Sequence, residues 1–427
     1  MAGEWEDLTL GDLGRVVTGK TPLTAVEGNF GGQIPFVTPS DMDGRKSIST
    51  TSRFLTQAGA ASVKGSVIPA GAIMVSCIGS DMGKVVIAGR ECVTNQQINS
   101  IVVDDRFSSE FVYYSLSTRK NEIRHQAAGG SAVPILNKGD FSCLEITLPP
   151  LAEQKAIAAV LGALDDKIEL NRRMNATLEA MARALFQSWF IDFDPVRANL
   201  DRNQPSPAAS RHPLPLGEGR GEGRFALDPA TAALFPDSFD ETALGHIPHG
   251  WEVKTLGEVI ELAYGKPLKA EDRKNGSVCV YGANGPVGWH DEKLVSGPGI
   301  VVGRKGNPGV VTWAHGDFYP IDTTFYVEPI GACRSLYFFY YALSLHNLAN
   351  LSADSAVPGL NRNHVYMSKQ VIPAQPVLAA FDSQIAPVFA AIHANEEQSR
   401  SLGTVRDTLL PKLLSGELTV PPIPRAE

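Results

Sequence analysis

The sequence is written twice, so any fold for it must be built from two copies of one plan. Trp5, Thr9-Leu10-Gly11 and Asp12 recur as Trp251, Thr255-Leu256-Gly257 and Glu258. The same offset of 246 residues carries Gly19-Lys20 onto Gly265-Lys266. Tyr113-Tyr114 recurs as Tyr340-Tyr341 at an offset of 227. Ser131-Ala132-Val133-Pro134 with Leu136-Asn137 recurs as Ser355-Ala356-Val357-Pro358 with Leu360-Asn361 at 224. The falling offset makes the second copy the shorter, the difference being lost from loops.

Within each copy, short β-branched runs such as Ile98–Val103 and Gly299–Val302 are punctuated by Gly and Pro, the pattern of strand-rich globular structure. The runs stop at Leu148-Pro149-Pro150 and at Ile372-Pro373, where proline ends a strand and opens a helix. A long helix is predicted after each. In the first, Ile157, Leu161, Leu164, Ile168, Asn171, Asn175, Leu178, Ala182, Leu185 and Trp189 alternate in steps of three and four, a heptad seam. In the second the seam is Ile385, Val388, Ile392, Asn395, Ser399, Leu402, Arg406, Leu409 and Leu413. Each helix packed on its own domain is one reading. Matched seams favour the other, in which the two helices pair as an antiparallel coiled coil with pseudo-twofold symmetry, Asn171, Asn175 and Asn395 fixing its register. A helix over 153–190 is roughly 57 Å long, a spacer between two domains.

The predicted class is α+β, with a strand-rich domain at 1–150, a spacer helix at 151–192, a linker at 193–243, a second domain at 244–373, a second helix at 374–416 and a tail at 417–427. The linker holds a Pro/Gly-rich insert at 205–224 that is read as loosely ordered, Glu218 and Glu222 offsetting its arginines. Pro387 leaves the start of the second helix open.

The bulk numbers exclude several classes. There is no run of about 18 apolar residues and no basic-then-apolar leader, so neither membrane insertion nor secretion is expected and a cytoplasmic address is. Five cysteines, with no pair at metal-ligand spacing, make a zinc ribbon or disulfide framework unexpected. Net charge is −8 overall, but −2 over residues 1–150 and zero over 244–373, so phosphate contact must come from local basic loops or from partners.

Catalytic signatures are missing. Gly14–Thr21 matches the text of a phosphate-binding loop, but Pro22 follows and no helix opens after it. Asp194-Pro195-Val196 lacks the second proline and the aromatic of a DNA methyltransferase motif. Asp165-Asp166-Lys167 reads as a solvated helix face, and no metal ligand set is expected.

The duplicated order of motifs resembles the specificity subunits of type I restriction–modification systems. The resemblance rests on Trp5–Leu13, Gly19–Pro22, Ile34–Met42, Asn95–Asn99 and Leu148–Ile157, and on Gly250-Trp251, Pro320–Phe325 and Leu409–Glu417 in the second half. It implies two target-recognition domains that read a split sequence on double-stranded DNA, directing type I modification subunits, two in number, and type I restriction subunits to it. It implies a chain with no cofactor of its own, the partners using S-adenosylmethionine, ATP and Mg. Base readers are expected among Arg, Lys and Gln on loops: Lys20, Arg45, Lys46, Lys84 and Gln97 in the first domain, and Lys266, Lys269, Arg304, Lys305 and Arg362 in the second. Asn137 and Asn361, being repeated, are read as structural. Two alternatives stay open: a duplicated protein-binding scaffold that reads no DNA, and a stand-alone DNA methyltransferase or nuclease.

Overall fold

The computed structural model describes residues 5–127, 134–203, 227–353 and 359–421. They fall into two compact units: Met1–Arg172 with Glu396–Glu427, and Arg173–Asn395. Two segments named above, Ser131–Val133 and Ser355–Pro358, lie outside the described residues, as does the insert at 205–224.

In the first unit Glu6–Thr9 pairs antiparallel with Glu145–Leu148 and ties the ends of the domain together. Between them a five-stranded sheet runs in the order Gly14–Thr18, Ile98–Val103, Ile73–Ser76, Val85–Ala88, Ser47–Ile48. A four-stranded sheet runs Arg53–Leu55, Phe30–Val37, Cys92–Thr94, Val67–Ile68. The strand Ile73–Ser76 is buried along its whole length, as its near-continuous apolar run requires. Helix Ser109–Ser117, capped by the Ser108 hydroxyl, which accepts from the Phe111 amide, adds Phe111, Val112 and Leu116 to the core.

The second unit repeats the plan. Glu252–Thr255 pairs with Lys369–Ile372, and a four-stranded sheet runs Ile260–Tyr264, Thr324–Pro329, Gly299–Gly303, Val311–Ala314. Its other sheet has three strands, Gly285–His290, Val278–Gly282 and Phe318–Pro320. Helix Leu336–Leu345 is again capped by a serine, Ser335.

The first long helix spans Leu151–Phe190 and the second Gln375–Leu414. In the first unit Ile157, Ala158 and Leu161 join the domain core together with Leu409, Leu410, Leu413 and Leu414. The Asn171 amide donates to Gln398 Oε1 (3.0 Å) and Ser399 Oγ (3.2 Å). In the second unit Phe186, Trp189 and Phe190 surround Phe381, at 6.0, 5.9 and 4.9 Å between ring centroids. There Asn395 donates to Asn175 Oδ1 (2.8 Å), and Asn175 to the Ile392 carbonyl (3.2 Å). Inside each unit the contacts step up one helix as they step down the other, so the helices run antiparallel where they meet. The other seam residues, Leu164, Ile168, Leu178, Leu185, Ile385, Val388, Ile392 and Leu402, are buried or half-buried. The second helix begins a dozen residues before Pro387 and runs through it. The hydrogen bond that proline removes is offset by Phe381, Ile385 and Phe389, all buried on the same helix.

Two expectations are corrected. Asp165 does not lie on a solvated face: it is 8% exposed and bonded on both carboxylate oxygens. The stretch read as linker contains the helix Asp194–Asn203 and the strand Phe239–Thr242, which pairs with Gly245–Pro248 just beyond it. The second long helix passes a length-and-composition test for a membrane span, a test that a core helix passes equally. Its apolar residues Val377, Leu378, Phe381, Ile385 and Phe389 belong to the core of the second unit, which is what makes that window apolar.

Candidate nucleic-acid interface

One set of backbone contacts recurs in both units and defines equivalent surface positions. The Gly19 amide donates to the Ile98 carbonyl (3.0 Å), and the Gly265 amide to the Thr324 carbonyl (3.2 Å). A Cβ at Gly19 would stand 2.0 Å from the Asn95 carbonyl oxygen, and one at Gly265 2.1 Å from that of Ile321. The repeated Gly-Lys is therefore a packing requirement that leaves Lys20 and Lys266 exposed beside it. Next, Gly83 donates to Ser76 and Gly309 to Gly303, each at 2.8 Å, closing matching loops. Leu136 donates to the Cys77 carbonyl and Leu360 to that of Arg304, each at 2.9 Å. Asn137 and Asn361 then cap short helices by accepting from the amides of Asp140 and Asn363, each at 3.0 Å. Strand pairing places Thr18 opposite Asn99 and Tyr264 opposite Phe325.

On this shared frame the chemistry differs. In the first unit the Thr18 hydroxyl donates to Asn99 Oδ1 (2.7 Å), and Asn99 donates to the Leu136 carbonyl (3.2 Å). Cys77 is buried, which pushes its thiol up to about 11. In the second unit Tyr264 is 49% exposed, with its ring edge-on to Phe325 at 5.0 Å. The guanidinium of Arg304 lies 4.9 Å from the centre of that ring and that of Arg362 5.1 Å. Each arginine anchors Nη1 on a backbone carbonyl, Arg304 on Asp322 (3.1 Å) and Arg362 on Leu262 (3.4 Å). Lys305 is exposed next to Arg304, and Lys269 stands 3.5 Å from Glu271.

The first-unit candidates are not brought together. Gln97 accepts from Asn95 (2.8 Å) and lines a cleft of about 470 Å³ with Thr38, Arg53, Ser80 and Asp81. Lys84 is held at the foot of the same loop by Asp81 (3.0 Å) and the Pro39 carbonyl (3.1 Å). Arg45 is paired with Asp43 (2.8 Å). Lys46 turns the other way, to Glu110 (2.9 Å) and the Tyr114 ring (5.6 Å). Two residues escaped the sequence reading. Tyr264 sits directly before the repeated Gly-Lys, but as text it is one more strand aromatic. Arg53, stacked on Phe30 at 4.1 Å, carries no signal beyond its charge.

Gly14–Thr21 does not form a phosphate-binding loop, since Gly14–Thr18 is a strand of the central sheet. No cluster of metal-ligating side chains occurs among the described residues. What remains is a pair of similar frames carrying polar and cationic loops, and the family comparison agrees. The model for the type I restriction modification DNA specificity domain matches residues 2–180 and again residues 248–376.

The chain belongs to this family.

It is 27% identical to the type I restriction enzyme MjaIX specificity subunit of Methanocaldococcus jannaschii, over 98% of this chain and 94% of that one. It is 25% identical to the HindI specificity subunit of Haemophilus influenzae, over 97% and 100% respectively. In fold it resembles a crystal structure of a type I restriction–modification S subunit from M. genitalium, with a TM-score of 0.58, 17% identity and coverage of 99% of this chain and 97% of that one. The specificity domain occurs twice in this chain, which as a specificity subunit is a non-catalytic component.

Proposed function

We propose that the chain reads a bipartite sequence on double-stranded DNA, one half per domain, and directs type I modification and restriction subunits to it. The observation that carries this reading is the repeated frame with divergent surface chemistry. Backbone contacts are duplicated down to the caps, while the side chains at matching positions are not: half-buried Thr18 stands where the second unit exposes Tyr264, and buried Cys77 where it presents half-buried Arg304. Two domains that bound one identical ligand would be expected to keep the same surface. Two domains that read different half-sites would differ there. Joining two weak readers in one chain raises affinity through effective concentration.

The partners are taken as two modification subunits and the restriction subunits, in the cytoplasm. They would supply phosphate contacts that a chain of net charge −8 lacks. The chain itself is taken to hold no cofactor; S-adenosylmethionine, ATP and Mg belong to the partners. The test is single-molecule methylome sequencing of cells expressing the chain with and without its modification subunit. A split motif with N6-methyladenine in both halves, present only with both proteins, is the expected result. An active modification subunit that yields no split motif would favour the protein-binding scaffold instead.

A further inference from the structure

At matching places in the frame, the first unit carries Thr18, Asn99, Cys77 and Lys138, and the second carries Tyr264, Phe325, Arg304 and Arg362. The first set closes on itself through the Thr18–Asn99–Leu136 chain of hydrogen bonds. The second set does not. Two guanidinium groups lie within 4.9 and 5.1 Å of one half-exposed ring. Among the described residues neither has a carboxylate within 4 Å. Two cations gathered at one ring with no carboxylate on either leave positive charge uncompensated there, and an acceptor placed against them compensates it.

The same contacts restrict orientation. An arginine held beside an aromatic ring, with one nitrogen tied to a backbone carbonyl, has its planar fork partly preorganised and loses less freedom on binding. A planar fork of donors matches two acceptors side by side, as on the major-groove edge of guanine, O6 with N7. Phosphate oxygens share that chemistry but carry no sequence.

We propose that Arg304 and Arg362, braced on Tyr264, read guanine in the half-site of the second unit, and that the first unit reads its half without a guanidinium at these positions. This rests on the reading of the chain as a bipartite DNA reader.

The experiment uses the full chain assembled with its modification subunits. Motif sequencing is combined with competition binding on duplexes in which each guanine of the target is replaced in turn. Arg304→Ala and Arg362→Ala are each expected to relax one guanine in one half, with roughly a ten- to hundredfold loss of discrimination there. The other half and the gap stay unchanged. Arg304→Lys keeps the charge and loses the fork, so it should relax the same guanine. Tyr264→Phe keeps the ring and should keep the motif. A uniform weakening on all duplexes, with the salt slope shallower by about one per arginine, would assign both residues to phosphate and overturn the proposal. So would an unaltered motif. Both outcomes leave the bipartite reading standing, whereas a parent complex that methylates no split motif overturns that reading as well.

Discussion

The two units seat the same tyrosine pair on a long helix around different central residues. In the first, the Tyr114 hydroxyl donates to Asp165 Oδ2 (2.7 Å), and Arg406 Nη1 donates to Asp165 Oδ1 (2.6 Å). In the second, the residue 224 positions after Asp165 is Phe389. Its ring lies 4.7 Å from Trp313, 5.0 Å from Tyr337, 5.8 Å from Tyr340 and 6.2 Å from Tyr341. One joint is centred on a buried carboxylate and the other on an aromatic ring, with Glu179 and its partner Arg183 (3.7 Å) beside the second tyrosine pair. Burial pushes both Tyr113 and Tyr340 up to about 12. Duplication preserved the place where helix meets domain and left its chemistry free to change.

The contrast can be broken most forcefully in the second unit. Phe389→Ala removes a ring with four aromatic neighbours and should cost about 3–5 kcal/mol. Hydrogen exchange should show lost protection in Ile260–Tyr264 and Thr324–Pro329 and unchanged protection in Gly14–Thr18 and Ile98–Val103. Equal loss in both sheets would mean that the joints are not local. Next in size is Arg406→Met, which leaves Asp165 buried with only a tyrosine hydroxyl. The cost should fall near 3 kcal/mol, the low end for a broken buried pair, because Arg406 retains 31% exposure. Adding Asp165→Leu and Tyr114→Phe turns the centre of the joint apolar like that of its counterpart and should restore stability to within about 1 kcal/mol in denaturant unfolding. The smallest effect sharpens what is shared: Asn137→Ala and Asn361→Ala should each cost about 1 kcal/mol, nearly alike, since both remove the same helix cap.

How much of this was legible depended on what each residue answers to. Gly19 and Gly265 answer to backbone geometry, which does not tolerate a side chain there, so they stand out in both copies. The heptad seam answers to helix periodicity, and its positions fall on the inward stripe. Asp165 was misread because it lies between Leu164 and Asp166, just off the seam, with Lys167 beyond, and its partners are far away in the chain. Tyr114 and Arg406 are 51 and 241 residues distant. Tyr264 was missed for a related reason. An aromatic at a strand end is ordinarily core, and only the arrival of Arg304 from a loop and Arg362 from the start of a short helix makes it a platform. The first-unit cations were chosen by charge and loop position, which say nothing of the carboxylates that hold Arg45, Lys46 and Lys84.

Each long helix passes from one compact unit into the other, the division falling at Arg172 in the first and Asn395 in the second. The first unit is therefore assembled from two separated stretches of chain, with the second unit spliced between them. During synthesis the ribosome releases the whole of residues 173–395 before it releases Leu409, Leu410 and Leu413, which complete the core around Ile157 and Leu161. The domain made first must wait, its helix groove open, until the domain made second has left the tunnel. Order of translation and order of completion run in opposite directions along this chain.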